Sequence, residues 1–324
     1  MKKFNLAVLA ATISTGVGAG ELAKPGFSGE LMAMAGFSST ESNFNTETES
    51  KVGLLNTEAE SQTEAILAPL GQVRYTFGRS SHHQVFLGTS REDIAVGDFV
   101  LEAGYKFGLG TNSSIAASYL PSVAGETWKD PFVTGKREVA DISSSAVRLK
   151  YENILDSAFS VDLGYYTSEV NGENSGASLN SGSAINQLDR DGNGLYAKFS
   201  YTHSLNQTSI IEPSFTYKSF SADGEAMSNN VYGTELSYKK FTKRHLFALS
   251  ASYSKTNYDS ENVVFGKTQN NNTYDVFAAY EYDKFMGWEN WALNGIAGYE
   301  VTSSNINFYN EKELMLGVGM SYKF

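Results

Sequence analysis

Apolar and polar residues alternate one for one along most of this chain, in stretches of about ten residues or more, and that rhythm restricts the fold more than any other feature. In "GFSGELMAMAGF" Phe27, Leu31, Ala33, Ala35 and Phe37 share one face, and Ser28, Glu30, Met32 and Met34 the other. In "GDFVLEAGYKFG" Phe99, Leu101, Ala103, Tyr105 and Phe107 stand opposite Glu102 and Lys106. "TYDVFAAYEYD" sets Tyr274, Val276, Ala278, Tyr280 and Tyr282 on one side, and "ELMLGVGMSYKF" does the same with Leu314, Leu316, Val318, Met320, Tyr322 and Phe324. A period of two is that of a β-strand with two unlike faces. The pattern predicts strands near 26–37, 66–78, 84–90, 98–107, 113–121, 144–152, 158–168, 194–204, 208–220, 231–241, 245–256, 273–283, 291–302 and 312–324. The weakest of these is 84–90, and its loss with a neighbour would leave twelve.

A soluble sandwich also alternates, so other features must separate the two. These strands are longer than the usual five or six residues, and Tyr, Phe and Trp recur near their ends, as interfacial girdles require. The connections alternate in length. Those at 38–65, 121–143, 169–193 and 257–272 are long and polar, and those at 79–83, 108–112, 153–157, 205–207 and 242–244 are short. Long outer loops and short periplasmic turns belong to a transmembrane barrel. The last strand ends on Phe324, like the assembly signal by which bacterial outer-membrane barrels are recognised by their assembly machinery. Residues 1–19 read as a cleaved export signal: Lys2 and Lys3, a short apolar core, then the small pair Val17 and Ala19. The mature domain is then 20–324.

Beyond the N-terminus no run of about 18 apolar residues exists, so helices do not cross a bilayer here. Every backbone N–H and C=O in lipid needs an internal partner, and a closed barrel is the remaining solution. The expected fold is therefore an all-β, antiparallel, up-and-down barrel of about fourteen strands. Its apolar face meets lipid and lipopolysaccharide. Its other face lines the interior and carries Glu30, Arg74, Glu102, Lys106, Arg148, Lys150, Asp162, Lys198, Glu212, Lys218, Glu235, Lys239, Asp275, Glu281 and Glu300. The signs nearly balance. Such an interior is either a polar channel or a core closed by mutual ion pairs, and a barrel this wide is hard to fill with side chains.

The chain has a formal net charge of -11, which argues against nucleic acid as a partner. With no cysteine it has no disulfide, thiolate metal site or Cys nucleophile. His82, His83, His203 and His245 all fall at or beside short turns, away from the outer rim, and no Ser-His constellation accompanies them, so no catalytic residue is assigned. Within "GETWKDPFVTGKREVAD" the charges Glu126, Lys129, Asp130, Lys136, Arg137 and Glu138 surround Trp128 and Phe132. This segment is either a loop that folds inward to narrow a pore or a solvated surface loop. The acidic stretch 40–64 reads as a mobile outer loop, with divalent-cation or lipopolysaccharide contact as its functional alternative. Trp288 and Trp291, beside Phe285, read as an interfacial anchor. In "LDRDGNGLY", Asp189, Asp191 and Asn193 match the opening of a calcium loop, but position 12 is Ser200 in place of a bidentate Glu, and no helices are expected to flank it. Turn chemistry is the expected role, with a weakly bound calcium as the alternative. No cofactor is required.

The stretches "PGFSGELMAMAGFSSTESNFNTE", "GTSREDIAVGDFVLEAGY" and "GETWKDPFVTGK" resemble those of a family of Gram-negative outer-membrane proteins known only by a domain-of-unknown-function label. The likeness runs over nearly the whole mature chain. It implies an outer-membrane β-barrel and brings no activity, substrate or functional residue. In architecture the chain is also similar to monomeric fourteen-stranded general or oligosaccharide channels. The expectation is a monomeric porin-like channel for passive diffusion of small hydrophilic solutes. The alternative is a non-conducting structural or surface-binding barrel that acts through its outer loops.

Overall fold

The computed structural model describes residues 22, 24–78, 81–89, 101–109, 111–121 and 125–324. The expected signal segment, residues 1–19, lies outside the described residues, as do the first three residues of the strand expected over 98–107 and the last of that over 84–90.

Fourteen strands form the wall: β1 (Gly26–Glu41), β2 (Ser61–Phe77), β3 (His83–Thr89), β4 (Leu101–Gly108), β5 (Ser114–Leu120), β6 (Val139–Glu152), β7 (Phe159–Val170), β8 (Gly192–Tyr201), β9 (Ser209–Ala222), β10 (Asn229–Phe241), β11 (His245–Asn262), β12 (Lys267–Asp283), β13 (Trp291–Ser304) and β14 (Glu311–Lys323). His203–Asn206 prolongs β8 along β9. Each strand pairs antiparallel with its neighbours in sequence, and β14 returns to pair with β1 from Glu30↔Lys323 to Glu41↔Lys312. The sheet therefore has no free first or last strand. The fourteen-strand expectation holds, and twelve is excluded.

Several strands are longer than the alternation indicated, and the outer loops are correspondingly shorter. β2 starts at Ser61, β6 at Val139 and β12 at Lys267, so the expected loop 257–272 shrinks to residues 263–266. Above the bilayer both faces of a strand meet water. Residues such as Lys267, Asn270 and Asn272 then alternate with nothing, and the period-two signal vanishes although the ladder continues.

Outward side chains form an apolar belt, with Phe27 74% and Leu67 81% exposed to what is lipid in the membrane. Around its periplasmic rim an aromatic chain runs through Tyr280, His245, Tyr282, Phe285, Trp288, Trp291, Tyr322 and Phe324. Tyr217 against Tyr232 and Tyr253 against Tyr274 mark the outer rim. Tyr274 and Tyr282 lie on one strand, and at ~3.3 Å per residue and a tilt of about 40° they stand ~20 Å apart in height, close to the apolar thickness of such barrels.

Closure between β1 and β14 depends on a close approach. Gly36 faces Gly317, and a Cβ on Gly36 would lie 2.1 Å from the Leu316 carbonyl oxygen and 2.8 Å from the Gly317 Cα. Gly29 N–H donates to the Phe324 carbonyl at 2.8 Å and Phe324 N–H returns a bond to Gly29 at 3.0 Å. The Gly36→Ala substitution is expected to lower the folded fraction, read as the heat-modifiable band on semi-native gels, and to lower the urea midpoint, whereas Ala33→Gly on the lipid face changes little. An unchanged midpoint for Gly36→Ala would show that the seam tolerates a side chain.

Candidate functional site

The barrel interior comes first. In a circular section fourteen tilted strands enclose roughly 28 Å between opposite backbones, so wall side chains cannot fill it by reach alone. Every charge expected on the inward face lies on strand positions of inward parity. Arg148 on β6 grips Asp162 on β7 through Nε at 2.8 Å and a second bond from Nη2, and reaches Glu102 on β4 at 3.2 Å. Ser118 donates to the same Glu102 carboxylate. Lys106 pairs with Glu152, which the sequence reading did not single out, and Ser114 donates to it as well. Lys198 pairs with Glu235 at 3.2 Å, Lys239 with Glu212 at 3.6 Å, and Lys323 with Glu281. These pairs join strands one or two apart, so they run along the wall. Lys150 stands opposite Asp162, and Lys218 lies 5.9 Å from the Tyr196 ring. Arg74 stands opposite Ser28, two residues from Glu30. Asp275 and Glu300 are directly opposite each other on β12 and β13, and Glu300 is opposite Glu313 on β14.

The two sides of the interior differ. On the β4–β10 side Arg148 and Glu102 are buried and Asp162 largely so, and the lysine pairs stay partly solvated, as with Lys198 and Glu235 at 24% and 26% exposure. On the β12–β2 side the inner face is not small and polar as expected. Met32, Met34, Ile66, Leu70, Phe277, Ile296 and Met315 form one buried apolar cluster. They lie flat because glycines sit between them. Gly298 takes Phe277 on one side and Met315 on the other, and Gly317 takes Met34 and Ile296. Alternation placed Met32 and Met34 on the inner face, but it does not show that side chains from five strands pack together there.

The second feature is at the outer mouth. Six of the seven outer connections contribute to a single apolar core: L1 (42–60) with Phe44 and Leu55, L3 (described over 125–138) with Phe132, L4 (171–191) with Leu188, L5 (223–228) with Ala226 and Met227, L6 (263–266) with Val264 and Phe265, and L7 (305–310) with Ile306, Phe308 and Tyr309. The remaining connection, 90–100, lies outside the described residues. Phe132 meets Phe308 at 5.6 Å and Phe265 at 6.0 Å between ring centroids. L3 is rooted between β5 and β6, and L7 between β13 and β14, on opposite arcs of the ring. Loops rooted there can share a core only by crossing the mouth.

Asn43 on L1 is the polar centre of this cap. Its amide donates to the carbonyls of Thr57 and Phe308 at 2.9 and 2.8 Å, its side-chain oxygen accepts from Lys51 at 2.8 Å, and its own carbonyl accepts from Trp128 Nε1 at 3.0 Å and Arg137 at 2.7 Å. Arg137 also lies 4.2 Å from the Trp128 ring. Lys51 and Arg137 are both buried, and their acceptors are neutral oxygens. Burial, and then the neighbouring Arg137 charge, hold Lys51 below the ordinary lysine value. Burial likewise lowers Arg137 to about 10.

The segment expected as a constriction or surface loop is therefore packed into the cap, with Trp128 1% and Phe132 3% exposed. Asp130 accepts from the backbone N–H groups of Phe132, Gly176 and Ser178, tying L3 to L4. Glu126 accepts from Thr46 at 3.4 Å, Lys136 stands opposite Ser50 in a short L1–L3 ladder, and Lys129 pairs with Glu138 at the surface. Stretch 40–64 is not the freely mobile loop expected, because Asn43, Phe44 and Lys51 anchor it. The only hints in the sequence were lone aromatics inside polar loops, as in "ESNFN" and "NINFYN".

The calcium-like motif has a short helix before it, Gly182–Leu188, contrary to expectation, because Ala184 and Leu188 bury against the cap. Asp189 Oδ1 accepts from Asp191 N–H at 3.0 Å and Asp191 Oδ1 from Val170 N–H at 2.6 Å, while Asn193 sits on the outward parity of β8. Burial first, then Asp189, Glu173 and Glu169, raise Asp191 above the usual carboxylate range. Among the described residues no group of three or more His, Asp or Glu side chains is arranged to hold a metal ion. His83 and His245 bond to Tyr105 and Tyr280 at 2.6 and 2.7 Å, at the turns.

Arg148 is buried in the interior and serves two carboxylates. Arg148→Met should cost roughly 3–5 kcal/mol of stability, since Glu102 and Asp162 are left facing each other. Adding Glu102→Gln and Asp162→Asn should recover most of it in urea unfolding. A single variant as stable as the parent would show that these groups do not depend on Arg148.

Among solved structures the chain is similar to the outer membrane channel DcaP of Acinetobacter baumannii (8% identity, TM-score 0.44, covering 94% of this chain and 100% of that one). It is similar also to the toluene transporter TodX of P. putida (10% identity, TM-score 0.47, 93% and 91%) and to an anion-selective porin from Comamonas acidovorans (10% identity, TM-score 0.41, 92% and 100%). At such identity these likenesses bring neither substrate nor mechanism to this chain. No curated protein matches it. The family described as "Protein of unknown function (DUF2860)" matches residues 26–323, which is the whole barrel from the first strand to the last. The closed, lipid-belted ring with its capped mouth is thus the form taken by a member of the DUF2860 family, to which this chain belongs.

Proposed function

We propose that the protein is a monomeric outer-membrane channel for passive diffusion of small hydrophilic solutes, with its water path along the charged side of the interior. The observation that carries this reading is the direction of the ion pairs. Arg148 with Asp162, Lys106 with Glu152, Lys198 with Glu235 and Lys239 with Glu212 each join strands one or two apart. Charges paired along a wall line a passage, whereas charges paired across it would plug one. The partial solvation of the three lysine pairs supports the same reading. The apolar belt and its aromatic rims suit lipid and the lipopolysaccharide leaflet, and the strand ending in Phe324 suits insertion by the barrel-assembly machinery. The alternative is a barrel that does not conduct and presents its outer loops to a partner. The packed cap over the mouth is what favours it.

Purified protein in planar bilayers decides between them. Ohmic steps are expected from the parent chain, and deleting 126–138 should raise their size, because the L3 segment then no longer crosses the mouth. Reproducible absence of conductance from both proteins, each shown to be folded, would support the non-conducting barrel.

A further inference from the structure

Six loops meeting in one core is more than a narrowing. We infer that L1, L3 and L7 form a lid that closes the outer mouth, and that it opens by L3 parting from L1 and L7 with Asn43 as the latch. This rests on the channel reading above and adds regulation to it. Three observations converge. First, L3 and L7 start on opposite arcs of the rim yet bring Phe132 against Phe308. Second, the polar contacts between L1 and L3 pass mainly through a few atoms: the Asn43 carbonyl takes both Trp128 and Arg137, the Glu49 carbonyl takes Arg137 N–H at 3.1 Å, and Ser50 pairs with Lys136. Third, closure buries two like charges, Lys51 on the side-chain oxygen and Arg137 on the backbone oxygen of one asparagine, and among the described residues their acceptors are all neutral oxygens. Burial of charge without a counter-charge opposes assembly, while burial of Trp128, Phe132 and Phe308 favours it. Opposed contributions of this kind keep the closed state near balance with an open one, which a lid requires and a static plug does not.

The chain has no cysteine, so a disulfide can be added without competition. Ser50 and Lys136 are exposed, directly opposed residues of an antiparallel ladder, at a spacing that suits a disulfide. In bilayer recordings the oxidised double variant S50C/K136C is expected to dwell in its closed level at least fivefold longer than the parent. Dithiothreitol should return it to parental behaviour. Trp128→Phe, which removes the indole donor from the Asn43 carbonyl, should do the reverse and lengthen open dwell times severalfold, with folding checked by heat-modifiability. Because the cysteine pair is compared with itself before and after reduction, a poorly folded Trp128 variant leaves the test intact. Identical closed dwell times in the oxidised and reduced protein would overturn the lid while leaving the channel. Absence of conductance from every variant, the 126–138 deletion included, would overturn the channel reading itself.

Discussion

A peptide group in hydrocarbon has no water to bond, and everything in this molecule follows from that requirement. Fourteen strands satisfy it by giving each backbone two neighbours, and the β1–β14 seam makes the last strand no different from the rest. The seam is also where the sequence is least free. Gly36 against Gly317, and the Phe324 backbone bonded to Gly29, bring the two ends of the chain closer than side chains would permit. Once the ring is closed, one face of each strand belongs to lipid and the other to the interior, and residue choice on the two faces separates accordingly.

The interior is not uniform. A charged arc holds its carboxylates and cations in pairs along the wall, and an apolar arc lays Met, Ile and Phe side chains over glycines. The first presents charged atoms to the interior, and the second presents apolar ones. Over both lies the cap, in which aromatic burial competes with the confinement of Lys51 and Arg137. The barrel is a rigid scaffold whose ladders carry its stability. The cap is held instead by side-chain packing and a few hydrogen bonds between loops.

Much of this was legible along the chain. Strand number, order and facing could be read because lipid and water impose opposite preferences on adjacent residues. The inward parity of Arg148, Asp162, Lys198 and Glu235 followed from that same rule. The reading weakened where the two faces met the same medium. Ser61–Thr63 and Lys267–Asn272 continue their strands into water, where the period-two contrast is lost although the ladder persists. Met32, Ile66 and Phe277 share inner faces with charges such as Glu30 and Asp275, so alternation gave their facing without their clustering. Asn43 and Lys51 were read as part of a solvated acidic loop, since nothing near them in sequence announces Trp128, Arg137 or Phe308.

The sequence by itself determined a closed antiparallel barrel of fourteen strands with an apolar exterior, because alternation is local and the demands of lipid act on each residue independently. Which charges pair, where the interior turns apolar, and that six loops rooted around the rim share one core were decided only by tertiary structure. Those contacts join residues far apart along the chain, 265 positions in the case of Asn43 and Phe308, and they depend on the curvature that brings opposite arcs of the ring together.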